Sequence, residues 1–162
     1  QNNNIKIGDF VEGGVVFYVD ESGKHGLVCS INNQSNLATW SKRKSVKRNE
    51  RLSENFHTSE TIFGGKSRNK KKSSKKNATR LCEDLKVKIG KNTYKDWYLP
   101  SFEELQLLYN NKDIINTTSL ENNGQKFENS IYWSSTEFDY TNAVIINFKD
   151  GKEYKIDGNK LK

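Results

Sequence analysis

The chain has 162 residues, of which 33% are hydrophobic, with a mean hydropathy of −0.91 and a formal net charge of +7. That length suits one domain burying roughly two-thirds of its unfolded surface, but so few apolar residues demand a small core and long polar loops. The longest apolar cluster, GGVVFYV at 13–19, is strand-sized, which excludes a membrane-spanning helix, and two cysteines are too few for a disulfide-built scaffold.

The charge is not spread evenly. Residues 41–80 hold 14 Lys/Arg against 3 Glu, a net of +11, so the other 122 residues carry −4 of the total +7. The basicity is a local patch on a mildly acidic body, and such a patch attracts polyanions.

In chain order, GGVVFYVDESGKHGLVCSI reads as a hairpin. β-Branched and aromatic runs at 14–19 and 26–31 flank a turn-rich connector containing Gly23. ATW at 38–40 reads as a further short strand. The basic stretch that follows has no sustained period and reads as loop, except for HTSETIF, a short helix stopped by Gly64 and Gly65. A longer helix is expected next in NATRLCEDLKVKI. Ala78, Leu81, Cys82, Leu85 and Ile89 share one face, Lys86 and Lys88 suit the last turns, and Gly90 ends it.

DWYLPSFEEL, at 96–105, contains the only proline. WYL is β-prone, and the Pro100 ring keeps Leu99 extended, so a strand is expected to run straight into a helix. Ser101 is its N-cap and Glu104 its capping-box partner, while Phe102, Leu105 and Leu108 form an apolar face running to about 111. An Asn-rich connector at 116–130 leads to strands at 131–136, 142–148 and 152–156, the last two joined by the turn KDGK. Strands, then helices, then strands make the fold class α+β, not a parallel βαβ array.

GGVVFYVDESGKHGLV, ATW, ATRLCEDL, DWYLPSFEEL and YWSSTEFDYTNAVIINFKDG occur in an order that resembles the bacterial Lcl C-terminal-like domain family, across residues 8 to about 156. That family is named for a collagen-like surface adhesin and is similar to the C-type lectin-like fold. The resemblance implies one domain over 1–162, with a small, mostly antiparallel sheet, two main helices and long surface loops. It also implies a secreted or cell-surface bacterial protein with its signal peptide removed, and sulfated glycosaminoglycans as a ligand class. Two departures stand out. The basic stretch at about 41–76 is longer and more cationic than the family's usual loop, as an insertion would be. The family's closing strand, of VR…VR character, is not seen where the chain reads IDGNKLK, so that strand is missing, displaced or supplied by something else, and an unpaired edge there would be a candidate for β-augmentation.

Three groups of residues are candidates for function. The first is the polyanion-binding set Arg43, Lys44, Lys47, Arg48, Lys70, Lys71, Lys72, Lys75 and Lys76. Lysine supplies point charges for sulfate or phosphate, and arginine supplies bidentate contacts; the bland alternative is a solvated loop. The second is the loop Glu137, Phe138, Asp139, Tyr140 and Asn142, whose aromatics would serve as recognition anchors. Its oxygen atoms match no defined calcium-loop spacing, and a solvated hairpin loop is the favoured alternative. The third is the pair Cys29 and Cys82, either bridged or two buried thiols.

No nucleophile–base constellation is visible, so no enzyme, cofactor or metal is expected. Aromatics are not interleaved with the basic charges, which argues against nucleic acid. The expected function is an exported, non-catalytic surface recognition or adhesion module that binds an acidic glycan or other polyanion through its basic loop. The alternative is a structural subunit of a cell-surface assembly that contacts a protein partner.

Overall fold

A computed structural model describes residues 4–40, 77–139 and 142–158. The described chain is α+β, with three small antiparallel sheets and three helices.

The first sheet is a meander of β1 (Phe10–Val11), β2 (Gly14–Val19) and β3 (Gly26–Ser30). Glu12 (φ 56°) and Gly13 (φ 81°) form a two-residue turn with both central residues left-handed, the geometry that suits strand twist. Gly13 is also required by packing, because a Cβ there would lie 2.5 Å from Val87 Cγ1. The expected hairpin pairs Gly14 with Ser30 through Val19 with Gly26, with Phe17 as an extra residue between the Val16–Val28 and Tyr18–Leu27 pairs.

Trp40 is followed, among the described residues, by α1 (Ala78–Glu83). The expected helix over 78–89 stops there. Lys86 to Ile89 alternates polar and apolar residues at period two, which suits a strand better than a helix. Val87–Ile89 is accordingly β4, paired with β5 (Asn92–Tyr94), and Gly90 (φ 58°) turns the hairpin between them. Ile89 is 44% exposed instead of facing the core.

ATW is likewise not a strand, although Ala38 and Trp40 are buried. Nor does WYL pair as one. Leu99 packs on the last sheet, and the hydrogen bonds to that sheet come just after WYL, with the Ser135 N–H donating to Pro100 O at 2.7 Å and the Phe102 N–H donating to Thr136 Oγ1 at 3.0 Å.

Helix α2 (Phe102–Asn110) starts as expected, with Ser101 Oγ accepting from Glu104 N and Glu104 Oε2 accepting from Ser101 N. Helix α3 (Lys112–Glu121) occupies the first part of the supposed Asn-rich connector. Its single deeply buried apolar residue, Ile115, gives too faint a stripe to read from sequence.

The last sheet is β6 (Ile131–Glu137), β7 (Asn142–Asn147) and β8 (Glu153–Asp157), with β7 central. Core lies on both of its faces. Ala143 and Ile145 pack with Leu99, Trp133, Trp40 and Ala78. Ile146 and Phe148 face the other way, onto Leu105, Leu108, Ile115, Val15 and Phe17. Covering both faces explains why Ala143 to Ile146 are buried without a break.

Phe148 is 1% exposed and meets Tyr109, Phe127 and Tyr132 at ring-centroid distances of 5.4, 5.0 and 4.4 Å. Phe148→Ala is expected to cost about 3–5 kcal/mol in urea unfolding, and Ser101→Ala, which removes a cap, about 1–2 kcal/mol. Equal losses from the two would show that the aromatic cluster does not dominate.

Candidate functional site

The described residues on either side of 41–76 lie close together. The Ala78 N–H donates to Thr39 O at 2.8 Å, so the chain on either side of 41–76 is tied backbone to backbone. Trp40 anchors the outgoing side: its N–H donates to Gly158 O at 2.9 Å and its indole Nε1 donates to Ser134 O at 2.7 Å. Asn77 anchors the returning side as the cap of α1, with its side-chain oxygen accepting from Arg80 N at 2.9 Å. Both anchors are buried, Trp40 at 7% and Asn77 at 1% exposure. Arg43, Lys44, Lys47, Arg48, Lys70, Lys71, Lys72, Lys75 and Lys76 lie outside the described residues, as do the HTSETIF segment and Tyr140.

The second candidate group does not form one exposed loop. Glu137 is the last residue of β6, paired with Ala143, and is 6% exposed. Phe138 is 46% exposed, with Lys155 Nζ 4.1 Å from its ring centroid. Asp139 uses its carboxylate on the turn itself: Oδ1 accepts from Asn142 N and Oδ2 from Asn142 Nδ2, both at 2.8 Å. This arrangement turns the chain, and among the described residues of the group Phe138 is the exposed aromatic. Among the described residues no three His, Cys, Asp or Glu side chains gather into a metal-binding group.

Cys29 and Cys82 are free thiols, Cys29 against the first core cluster and Cys82 against the second. Burial pushes each thiol up to about 12, aided at Cys82 by the neighbouring Glu83 charge. Both are therefore protonated at neutral pH, and neither supplies the thiolate that cysteine chemistry needs.

Between the two clusters lies a feature with no signal in the sequence, a cavity of about 420 Å³ reached by β3, α1, the 94–100 segment and β6. Its wall combines residues distant in sequence, so only the folded chain reveals it. Tyr98 stands on that wall and donates to the buried Glu104 Oε1 at 3.0 Å. Burial and the Glu104 charge both raise the pKa of its hydroxyl.

These features define a small α+β domain whose backbone is joined on either side of 41–76, with a cavity lined by both core clusters and its thiols held inert. The chain belongs to the Lcl C-terminal domain family, whose model it matches over residues 29–160. That family comprises surface-associated, non-catalytic domains of adhesin-like proteins. The match begins inside β3, so the stretch GGVVFYVDESGKHGLV at 13–28 stands outside it. No curated protein matches the sequence. No described helix is long and apolar enough to cross a membrane.

Two neighbouring serines separate hydrogen-bond energy from burial. Ser134 Oγ donates to Val144 O at 2.7 Å and accepts from Thr136 N at 3.2 Å, whereas the buried Ser135 Oγ has no partner among the described residues. Ser134→Ala is expected to cost about 1–3 kcal/mol, and Ser135→Ala to be neutral or stabilising, both read by denaturant midpoint.

The thiols add a pH dependence. Their folded pKa is raised, so their contribution to stability is intact below about pH 9, where unfolded thiols are still protonated. It is lost as pH rises toward about 12. Wild type is expected to lose more stability than the Cys29→Ala/Cys82→Ala variant between about pH 8 and pH 11. Equal losses would mean that the thiols ionise freely in the folded chain.

Proposed function

We propose that the chain is an exported recognition domain of C-type lectin-like architecture, whose inserted basic segment binds an acidic polymer such as a sulfated or phosphorylated glycan. The carrying observation is the pinned neck. Thr39, Trp40, Asn77 and Ala78 hold the two ends of 41–76 together on a buried base, so the clusters at 43–48 and 70–76 start from one side of the body. Two lysine- and arginine-rich clusters brought to one side act on the same polyanion, and paired clusters gain from effective concentration.

Contacts of this kind release counterions and are screened by salt. Screening shortens the reach of exposed charges to a few ångströms near 1 M. Lysine suits the scattered sulfates or phosphates of a flexible polymer, because it needs no fixed planar partner.

Heparin and a polyglycerol phosphate are suitable probes. Binding to at least one is expected to weaken by about tenfold or more between roughly 0.15 and 0.5 M salt. It is also expected to disappear when Lys44, Lys47, Lys70, Lys71 and Lys72 are all replaced by Glu with the melting temperature unchanged. Full binding in roughly 0.5 M salt, or in that variant, would sink the reading.

A further inference from the structure

We infer that the cavity between the two core clusters is a binding site for a small organic cation with an apolar body. None of the described residues that line it belongs to the basic clusters. Its volume of about 420 Å³ falls within the range of roughly 300–1,000 Å³ typical of small-molecule pockets.

The inner wall is apolar and aromatic, formed by Phe17, Leu105, Ile115 and Tyr132 of the first core cluster and by Trp133 of the second, with Trp97 also lining it. Such a wall rewards an apolar body, and its indole and phenol faces attract a cation through their quadrupoles. Among the described residues, the exposed charged groups of the wall, taken as its mouth, are three acidic (Glu12, Asp96 and Glu128) and one basic (Lys126). An anionic headgroup would meet that excess of carboxylate, whereas a cationic one is drawn to it while the body inserts.

Tyr98 reports the same field. Its hydroxyl is held in the protonated form by burial and by the negative charges of Glu104 and Asp96. Glu104 itself is committed to the Tyr98 hydroxyl and the Ser101 N–H, so it shapes the potential without having to move.

The test uses three probes with one phenylpropyl body: 3-phenylpropyl-trimethylammonium, 3-phenylpropan-1-ol and 3-phenylpropane-1-sulfonate. Each is titrated into the full chain by NMR. The ammonium is expected to bind saturably and about tenfold more tightly than the alcohol, with the sulfonate weakest. Its shifts are expected at Leu81, Trp97 and Tyr132, and its preference over the alcohol is expected to shrink in roughly 0.5 M salt. Asp96→Asn with Glu128→Gln should weaken the ammonium several-fold and leave the alcohol unchanged. Leu81→Trp, which fills the cavity, should abolish all three.

No saturable ammonium binding, equal or tighter sulfonate binding, or shifts mapping elsewhere would each overturn the assignment. None of these results bears on polyanion binding by 41–76. The two proposals therefore fail separately.

Discussion

The fold turns on one backbone bond, from the Ser135 N–H to the carbonyl of Pro100 at 2.7 Å. Proline has no N–H to offer a sheet and fixes its own φ, so a chain that passes a strand edge at proline can accept there but not donate. Here the segment touches β6 at that carbonyl and departs at once into α2. The Phe102 N–H donates to Thr136 Oγ1, which uses one of the amides a helix start would otherwise leave unsatisfied. Ser101 and Glu104 satisfy others by reciprocal capping, and both are fully buried. Helix α2 is therefore set against β6 by hydrogen bonds that have no water to compete with them. Its apolar face meets Ile146 and Phe148 as a consequence.

That placement divides the interior. The last sheet is a wall with packing on both sides, the α2–α3 side around Phe148 and the Trp40–Ala78 side around Trp133. Indole nitrogens bind the second side to the wall. Trp133 Nε1 donates to Ala38 O at 2.9 Å, and Trp40 Nε1 donates to Ser134 O at 2.7 Å. Large rings thus deliver apolar area while their one polar atom is satisfied by backbone, so they can be buried at little cost. A protein with only 33% hydrophobic residues needs that economy.

Much of this was legible in local sequence wherever local chemistry decides structure. The capping box, the first hairpin and the KDGK turn depend on neighbours within a few residues, and each lies where those residues place it. Ranges of ambiguous period were not legible. LKVKIG satisfies a helical face through Leu85 and Ile89 and a strand through Val87 and Ile89, and pairing with Asn92–Tyr94 decided for the strand. Helix α3 hid because it is held by Ile115 and by Thr118 Oγ1 donating to Gly8 O at 2.8 Å, a tertiary bond with no trace in its own sequence. Glu137 looked like a loop carboxylate and is a buried strand end, because β6 runs one pair further than its apolar alternation suggested. The cavity belongs to the same category, since its wall is assembled from segments roughly a hundred residues apart along the chain.

The division of charge follows from the same economy. A body with two small cores has little stability to spare, and a run of like charges packed onto it would subtract from that through self-repulsion. Along the sequence a net +11 falls in residues 41–80 and −4 in the rest, so the like charges are concentrated in one stretch and not spread over the two cores. The neck needs only backbone bonds and two buried anchors, Trp40 and Asn77, to carry it. Charges of both signs are thus segregated along the chain, and the Thr39–Ala78 bond joins the backbone on either side of the basic stretch.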